Sequence, residues 1–128
     1  ELNHLEKITR NNSRMVLVVA LNYGGRQEIL KACQQMLKKN IRPDQLNEKT
    51  FSQYLDTANL PDPDLLIRTS GEMRLSNFLL WQCAYTEFWI IPVLWPDFRK
   101  KDLFEAIIEY QKRERRFGGV GQKEDQLT

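Results

Sequence analysis

Apolar and polar positions fall in blocks along the chain, each with the period of one kind of element. Met15-Val16-Leu17-Val18-Val19-Ala20-Leu21 is a continuous, β-branched apolar run and predicts a strand buried on both faces. Shorter runs predict strands over 64–67 and 87–91, the second closed by Pro92. Between them the spacing turns helical. Leu2, Leu5 and Ile8 mark a helix within residues 2–10, and Asn11-Asn12-Ser13 breaks it. Ile29, Leu30, Cys33, Met36 and Leu37 form the stripe of a core-facing helix that ends near Asn40 and Pro43. A shorter helix is predicted from about 47 to 55, with Phe51, Tyr54 and Leu55 inward, and another from about 76 to 85. Trp95-Pro96-Asp97-Phe98 introduces a last helix, with Asp97 or Asp102 near its start and Leu103, Phe104, Ile107, Ile108 and Tyr110 on its inner face. Trp81, Trp89 and Trp95 are expected to pack the core.

Strands alternating with helices predict an α/β fold, a mostly parallel sheet with helices on both faces. The 128 residues suit a single domain, with 118–128 as a flexible polar tail after Gly118-Gly119-Val120-Gly121. In such sheets ligands sit beyond the carboxyl ends of the strands. The loops 22–26, 68–76 and 92–97 all follow predicted strands, so they should share one rim.

Chemistry concentrates in the second of these loops. Arg68 directly follows an apolar strand, Arg74 lies six positions on, and Thr69, Ser70, Gly71 and Ser76 supply small donors around them. Two guanidinium groups with hydroxyls and free backbone N–H groups make a plausible anion site, better matched to a diphosphate than to one carboxylate. The competing reading is an internal salt-bridge network with Glu72 and Asp64. Gly24-Gly25 admits two readings as well, a phosphate cradle or tight packing of strand against helix. Asp62 and Asp64 resemble half of an aspartate-rich metal motif, but Pro63 between them favours turn chemistry. Glu87 opens a strand and shares the rim only if the chain bends back there.

The totals narrow the classes. A formal charge of +2 with acids interleaved throughout does not suggest nucleic acid. The longest apolar run is too short to span a bilayer, and no charged start precedes an apolar leader. Cys33 and Cys83 stand fifty positions apart without a CxxC companion, which argues for reduced thiols packed in the core and against zinc. His4 is expected on an exposed helix face, with no catalytic weight.

With these residues in view, the chain resembles the cis-prenyltransferases of the undecaprenyl diphosphate synthase type. The resemblance rests on Asn22-Tyr23-Gly24-Gly25-Arg26, on Leu66-Ile67-Arg68-Thr69-Ser70-Gly71-Glu72 with Arg74-Leu75-Ser76-Asn77-Phe78-Leu79-Leu80-Trp81-Gln82, and on Ala84-Tyr85-Thr86-Glu87. Trp95-Pro96-Asp97-Phe98 and Arg113-Glu114-Arg115-Arg116-Phe117-Gly118-Gly119 complete it. It implies an enzyme that condenses isopentenyl diphosphate with an allylic diphosphate into a cis-polyprenyl diphosphate. Arg68, Arg74 and Ser76 would hold isopentenyl diphosphate, with the Leu75 backbone alongside and Ser70 and Gly71 near. Glu87 would help hold Mg²⁺, and Gly118 and Gly119 would serve at the site from the tail. A cytoplasmic homodimer is implied, drawn to the membrane surface by its lipid product.

Two departures from the family pattern stand out. Met73 occupies a position where bacterial members often carry histidine, and a thioether cannot replace the hydrogen bond of an imidazole. The Asp-Gly-Asn-Gly-Arg loop that binds the allylic diphosphate, with its essential aspartate, is not among these residues. The chain therefore matches the C-terminal portion of the family, carries no catalytic residue of its own and is expected to be inactive alone. A non-catalytic partner subunit, a phosphate- or nucleotide-binding regulatory domain and an RNA-binding module are the alternatives. The intact arginine–serine motif argues against the first, and the absence of an aromatic stacking motif against the last.

Overall fold

A computed structural model describes residues 1–114 of the chain. In order they form α1 (Leu2–Thr9), α2 (Gly25–Lys38), α3 (Glu48–Ser52), β1 (Leu65–Arg68), β2 (Glu87–Ile90) and α4 (Lys100–Gln111). Short 3₁₀ turns lie at Pro43–Gln45, Gln82–Tyr85 and Trp95–Asp97. The two strands pair in parallel, with Leu65 opposite Glu87 and Arg68 opposite Ile90. This is the α/β arrangement expected, a parallel sheet with helices.

Local chemistry sets the helix starts. The Asn47 side chain accepts the Thr50 N–H at 3.0 Å and starts α3. Asp102, rather than Asp97, serves α4: its carboxylate accepts the Arg99 N–H at 2.7 Å. The core lies where α2 meets α3. Ala32 and Met36 pack with Phe51 and Leu55, and Trp81 closes over them. The Trp81 ring lies 4.5 Å from that of Phe51, and its indole N–H donates to Ser52 Oγ at 3.1 Å. Cys83 is buried, as expected, and His4 is exposed.

Several expectations about burial fail, and for one reason. Residues 15–21 form no strand with any described residue: the run is bare, with Met15 80% and Val19 55% exposed. On α2 the inward side is Gly25, Glu28, Ala32 and Met36, while Leu30, Cys33 and Leu37 face out. On α4 only Asp102 and Ala106 are buried, and Leu103, Phe104, Ile107 and Ile108 are exposed. Trp95 is 73% exposed, its ring stacked on Phe98. Hydrophobicity marks a surface that must be covered, but the covering element has to be present. The chain exposes 11469 Å². A monomeric domain of its mass, 15.2 kDa, exposes about 7,100 Å².

The expected helix over 76–85 is the other difference. Ser76, Asn77 and Leu79 adopt positive φ values of 51°, 64° and 44°. Left-handed residues cannot continue a right-handed helix, so the segment becomes a series of turns ending in the 3₁₀ turn. The conformation has a use at the rim.

Candidate functional site

Hydrogen bonds gather the three predicted loops. The Ser70 N–H donates to the Val93 carbonyl at 2.9 Å, and the Gly71 N–H to the Ile91 carbonyl at 2.9 Å. The far end of the same loop sits on the first turn of α2. There the Asn77 carbonyl accepts the Gly25 N–H at 2.7 Å, and Asn77 Oδ1 accepts the Arg26 N–H at 2.9 Å. The segments around 22–26, 68–77 and 91–93 therefore share one rim, at the carboxyl ends of β1 and β2.

The choice between a phosphate cradle and tight packing at Gly24-Gly25 resolves toward packing. A Cβ on Gly25 would stand 2.9 Å from Leu80 Cγ and 3.2 Å from the Asn77 carbonyl, and one on Gly24 would stand 2.8 Å from Asn77 Nδ2. The glycines let the 77–80 turn approach the helix, and the Gly25 and Arg26 N–H groups are already engaged.

Arg68 ends β1, half-buried, with no ion pair or side-chain hydrogen bond to any described residue. A cation in that position favours an anionic partner. Arg74 pairs with Glu72, as the salt-bridge alternative anticipated, but it is 64% exposed. The pair is exposed on the Arg74 side alone, since the Glu72 oxygen that meets it is buried. Ser70 and Gly71 both take left-handed backbone, φ 67° at each, which turns the chain between the two arginines. Leu75 is half-buried and Ser76 exposed, immediately before the Asn77 anchor.

Glu87 lies elsewhere. It opens β2 opposite Leu65, so three residues of parallel strand, about 10 Å, separate it from the end where Arg68 stands. Arg113, just beyond α4, holds its carboxylate at 2.7 Å. The described residues contain no group of three or more His, Cys, Asp or Glu side chains able to hold a metal. Mg²⁺ bound with a substrate phosphate needs only one or two carboxylates, and Glu87 fits as one such contributor. Gly118 and Gly119 lie outside the described residues, as does the 118–128 tail.

One polar cluster behind the rim escaped the sequence reading. Glu28, only 3% exposed, accepts hydrogen bonds from Tyr23 Oη at 2.5 Å, from the Asp56 N–H at 2.9 Å and from Gln82 Nε2 at 3.1 Å. Gln82 also donates to Thr57 Oγ1 at 2.8 Å. Burial, reinforced by the hydrogen bond to Glu28, pushes the Tyr23 phenol well above its ordinary value. The Tyr23 ring meets Phe78 edge-on at 5.7 Å, so the cluster braces the 22–25 loop and the 78–82 segment together. A signal was present in the spacing of Gly25 and Ala32 on the face that carries Glu28 and Met36, two small residues that let another segment come close to the helix.

Comparison with known proteins places this geometry. Residues 1–118 match the prenyltransferase family model described as undecaprenyl diphosphate synthase. The isoprenyl transferase of Heliobacterium mobile is 61% identical over 116 residues, covering 88% of this chain and 45% of the relative. That of Thermotoga maritima is 56% identical over 118 residues, covering 91% and 51%. Among solved structures, lavandulyl diphosphate synthase from Lavandula x intermedia, in complex with dimethylallyl diphosphate, superposes with a TM-score of 0.83 at 42% identity. That match covers 91% of this chain and 52% of the other. The chain spans about half the length of the relatives it matches. No helix among the described residues is long and apolar enough to cross a membrane.

Proposed function

Since the chain belongs to the undecaprenyl diphosphate synthase family, we propose that it supplies the isopentenyl diphosphate half of a cis-prenyltransferase site. The observation that carries this reading is the rim itself. A two-arginine loop, held at one end by Ile91 and Val93 and at the other by Asn77, presents Arg68 without a counter-charge among the described residues. Arg68 and Arg74 would grip the diphosphate by forked, charge-assisted hydrogen bonds, with the Leu75 backbone and Ser76 hydroxyl completing the cradle. Ser70 and Gly71 would shape the turn between the arginines.

The reaction asks for no protein nucleophile. Two diphosphates must lie side by side, and the departing pyrophosphate gains charge as the allylic C–O bond breaks. This chain's part is to fix the acceptor so that its double bond faces the allylic carbon. Dimethylallyl diphosphate, present in the lavandulyl enzyme structure, is a diphosphate of the kind the other half would bind. Mg²⁺ would offset charge on the phosphates, with Glu87 as the carboxylate offered here. Its distance along the sheet from Arg68 suits service to the site of a second copy, consistent with a homodimer; Gly118 and Gly119, outside the described residues, would serve at the site from the tail.

Calorimetric titration of the chain with isopentenyl diphosphate and, separately, with a nucleoside diphosphate tests the reading. Preference for the isoprenoid is expected, and Arg68→Ala should weaken its binding roughly tenfold or more, the worth of a lost charge-assisted hydrogen bond. Equal binding by Arg68→Ala, or preference for the nucleotide, would remove the assignment.

A further inference from the structure

We propose that Asn77 is a positioning residue: by capping α2 from a distant loop, it sets where Arg74, Leu75 and Ser76 stand on the rim. The clamp is geometric and stands without a ligand; what it positions for rests on the function proposed above.

The residue makes three contacts with one turn of helix. Its carbonyl takes the Gly25 N–H, its Oδ1 takes the Arg26 N–H, and its Nδ2 donates to Gln27 Oε1 at 3.2 Å. The first N–H groups of a helix lack partners within it. The ordinary solution is a side chain at the N-cap, but Gly24 occupies that place and has none to offer. Asn77 supplies the cap from fifty-one positions away.

Its backbone is part of the fit. With φ at 64°, Asn77 occupies the left-handed region, which asparagine tolerates better than other residues with a side chain. In this conformation carbonyl and side chain address adjacent N–H groups. Asparagine therefore meets three demands at once: a left-handed backbone, a side-chain acceptor and a side-chain donor. Every residue keeps the carbonyl; beyond it, glycine meets the first demand alone, aspartate the first two and alanine none.

The clamp has a counterpart at the other end of the loop, where Ser70 and Gly71 hang from Val93 and Ile91. Between the two anchors, residues 72–75 carry no regular structure, and among the described residues Arg74 makes an ion pair with Glu72 while its own side chain is exposed. The location of the Arg74 guanidinium and the Ser76 hydroxyl is thus decided by the two anchors. Loss of the Asn77 anchor lets Ser76 and Arg74 drift while Arg68, fixed in β1, stays.

Hydrogen exchange on the 128-residue chain carrying Asn77→Gly, Asn77→Ala or Asn77→Asp tests the clamp. In the Gly and Ala variants, residues 25–28 and 70–76 should exchange roughly fivefold faster or more, as expected for a lost cap, with α4 unchanged. The Asp variant should return both segments to within about twofold of wild type, because the acceptor and backbone tolerance remain. Unchanged exchange at 70–76 in Asn77→Gly with α4 still protected, or failure of Asp to restore it, would overturn the clamp.

Titration of the same proteins with inorganic pyrophosphate reads the positioning. Roughly tenfold weaker binding in Asn77→Gly, recovered in Asn77→Asp, is expected. Faster loop exchange with unaltered affinity would overturn the positioning role. If wild type binds no pyrophosphate while the exchange pattern appears as stated, the proposed function falls and the clamp stands.

Discussion

The rim and the exposed apolar surface of this chain are built to different degrees of completion. At the rim, loops far apart in sequence meet through hydrogen bonds of 2.5–3.1 Å, and the buried Glu28 carboxylate is fully partnered. Elsewhere, Leu2, Leu5 and Ile8 of α1, the whole of 15–21, and Leu103, Phe104, Ile107 and Ile108 of α4 lie open to water. Polar chemistry needs a partner within a few ångströms, and the chain contains those partners. Apolar surface needs area, and the described residues do not supply it. A site can therefore be locally finished inside a fold that is only half covered.

The strongest way to break this contrast is to provide the cover. Many large apolar side chains are exposed, and relatives run to about twice the matched length. Co-expression with the unmatched portion of the Heliobacterium mobile relative should give a stable complex and prenyl transfer, with none expected from the 128 residues alone. The readouts are co-purification and product formation from isopentenyl and allylic diphosphates, with loss of hydrophobic-dye binding to the exposed apolar surface. Prenyl transfer by the chain alone, or no complex with the added half, would show that the exposed surface is not an unfinished interior.

The next largest effect lies within the finished region. Glu28→Ala leaves the Tyr23 hydroxyl, the Asp56 N–H and one N–H of the Gln82 amide without their acceptor, the other N–H of that amide keeping Thr57. At roughly 1–3 kcal/mol for each stranded donor, the loss should approach about 3–5 kcal/mol and unfold much of the population. On the exposed surface, Leu37→Ser, at a residue 76% exposed, should change stability by no more than about 0.5 kcal/mol. Urea melts of the two variants measure the contrast, and comparable losses would erase it.

How much of this was legible in the sequence depends on what each feature required. Leu65–Arg68 and Glu87–Ile90 could be read because a strand's apolar run and its boundary lie in adjacent residues. The convergence of the 68–76 and 92–97 loops at one rim followed from parallel strands, whereas 22–26 reaches it through the Asn77 contacts with α2. The inward side of α2 misled because Gly25, Glu28 and Ala32 face inward with Met36 while Leu30 and Leu37 do not. There, close approach at Gly25 and Ala32 and the hydrogen bonds of Glu28 set the inward face as much as hydrophobicity does. Residues 15–21 have a strand's composition, but composition does not supply a partner strand. Asn77 was unreadable as a cap because caps are recognised by adjacency to their helix, and this one acts across the fold. Glu28 was passed over because a glutamate on a helix is ordinarily solvated.

The smallest predicted effect is also the most specific to the rim, because it depends on one proton. Both burial and Glu28 hold the Tyr23 phenol protonated in the folded chain. An unfolded tyrosine releases that proton near pH 10. Below this both states keep it and its contribution to stability is intact. Above it the unfolded state ionises first, so folding weakens as pH rises, by at most about 1.4 kcal/mol per pH unit. The Cys83 thiol, pushed up by burial from its ordinary 9.0, adds a loss of the same sign beginning somewhat lower. Tyr23→Phe should cost about 1–2 kcal/mol at neutral pH through the lost hydrogen bond to a carboxylate. It should also flatten the decline between about pH 10 and 11.5 while leaving the Cys83 component. Denaturation midpoints across that range distinguish the two outcomes. Identical slopes in wild type and Tyr23→Phe would mean that the Glu28 cluster opens before its phenol ionises, and that the rim is no better closed than the exposed apolar surface.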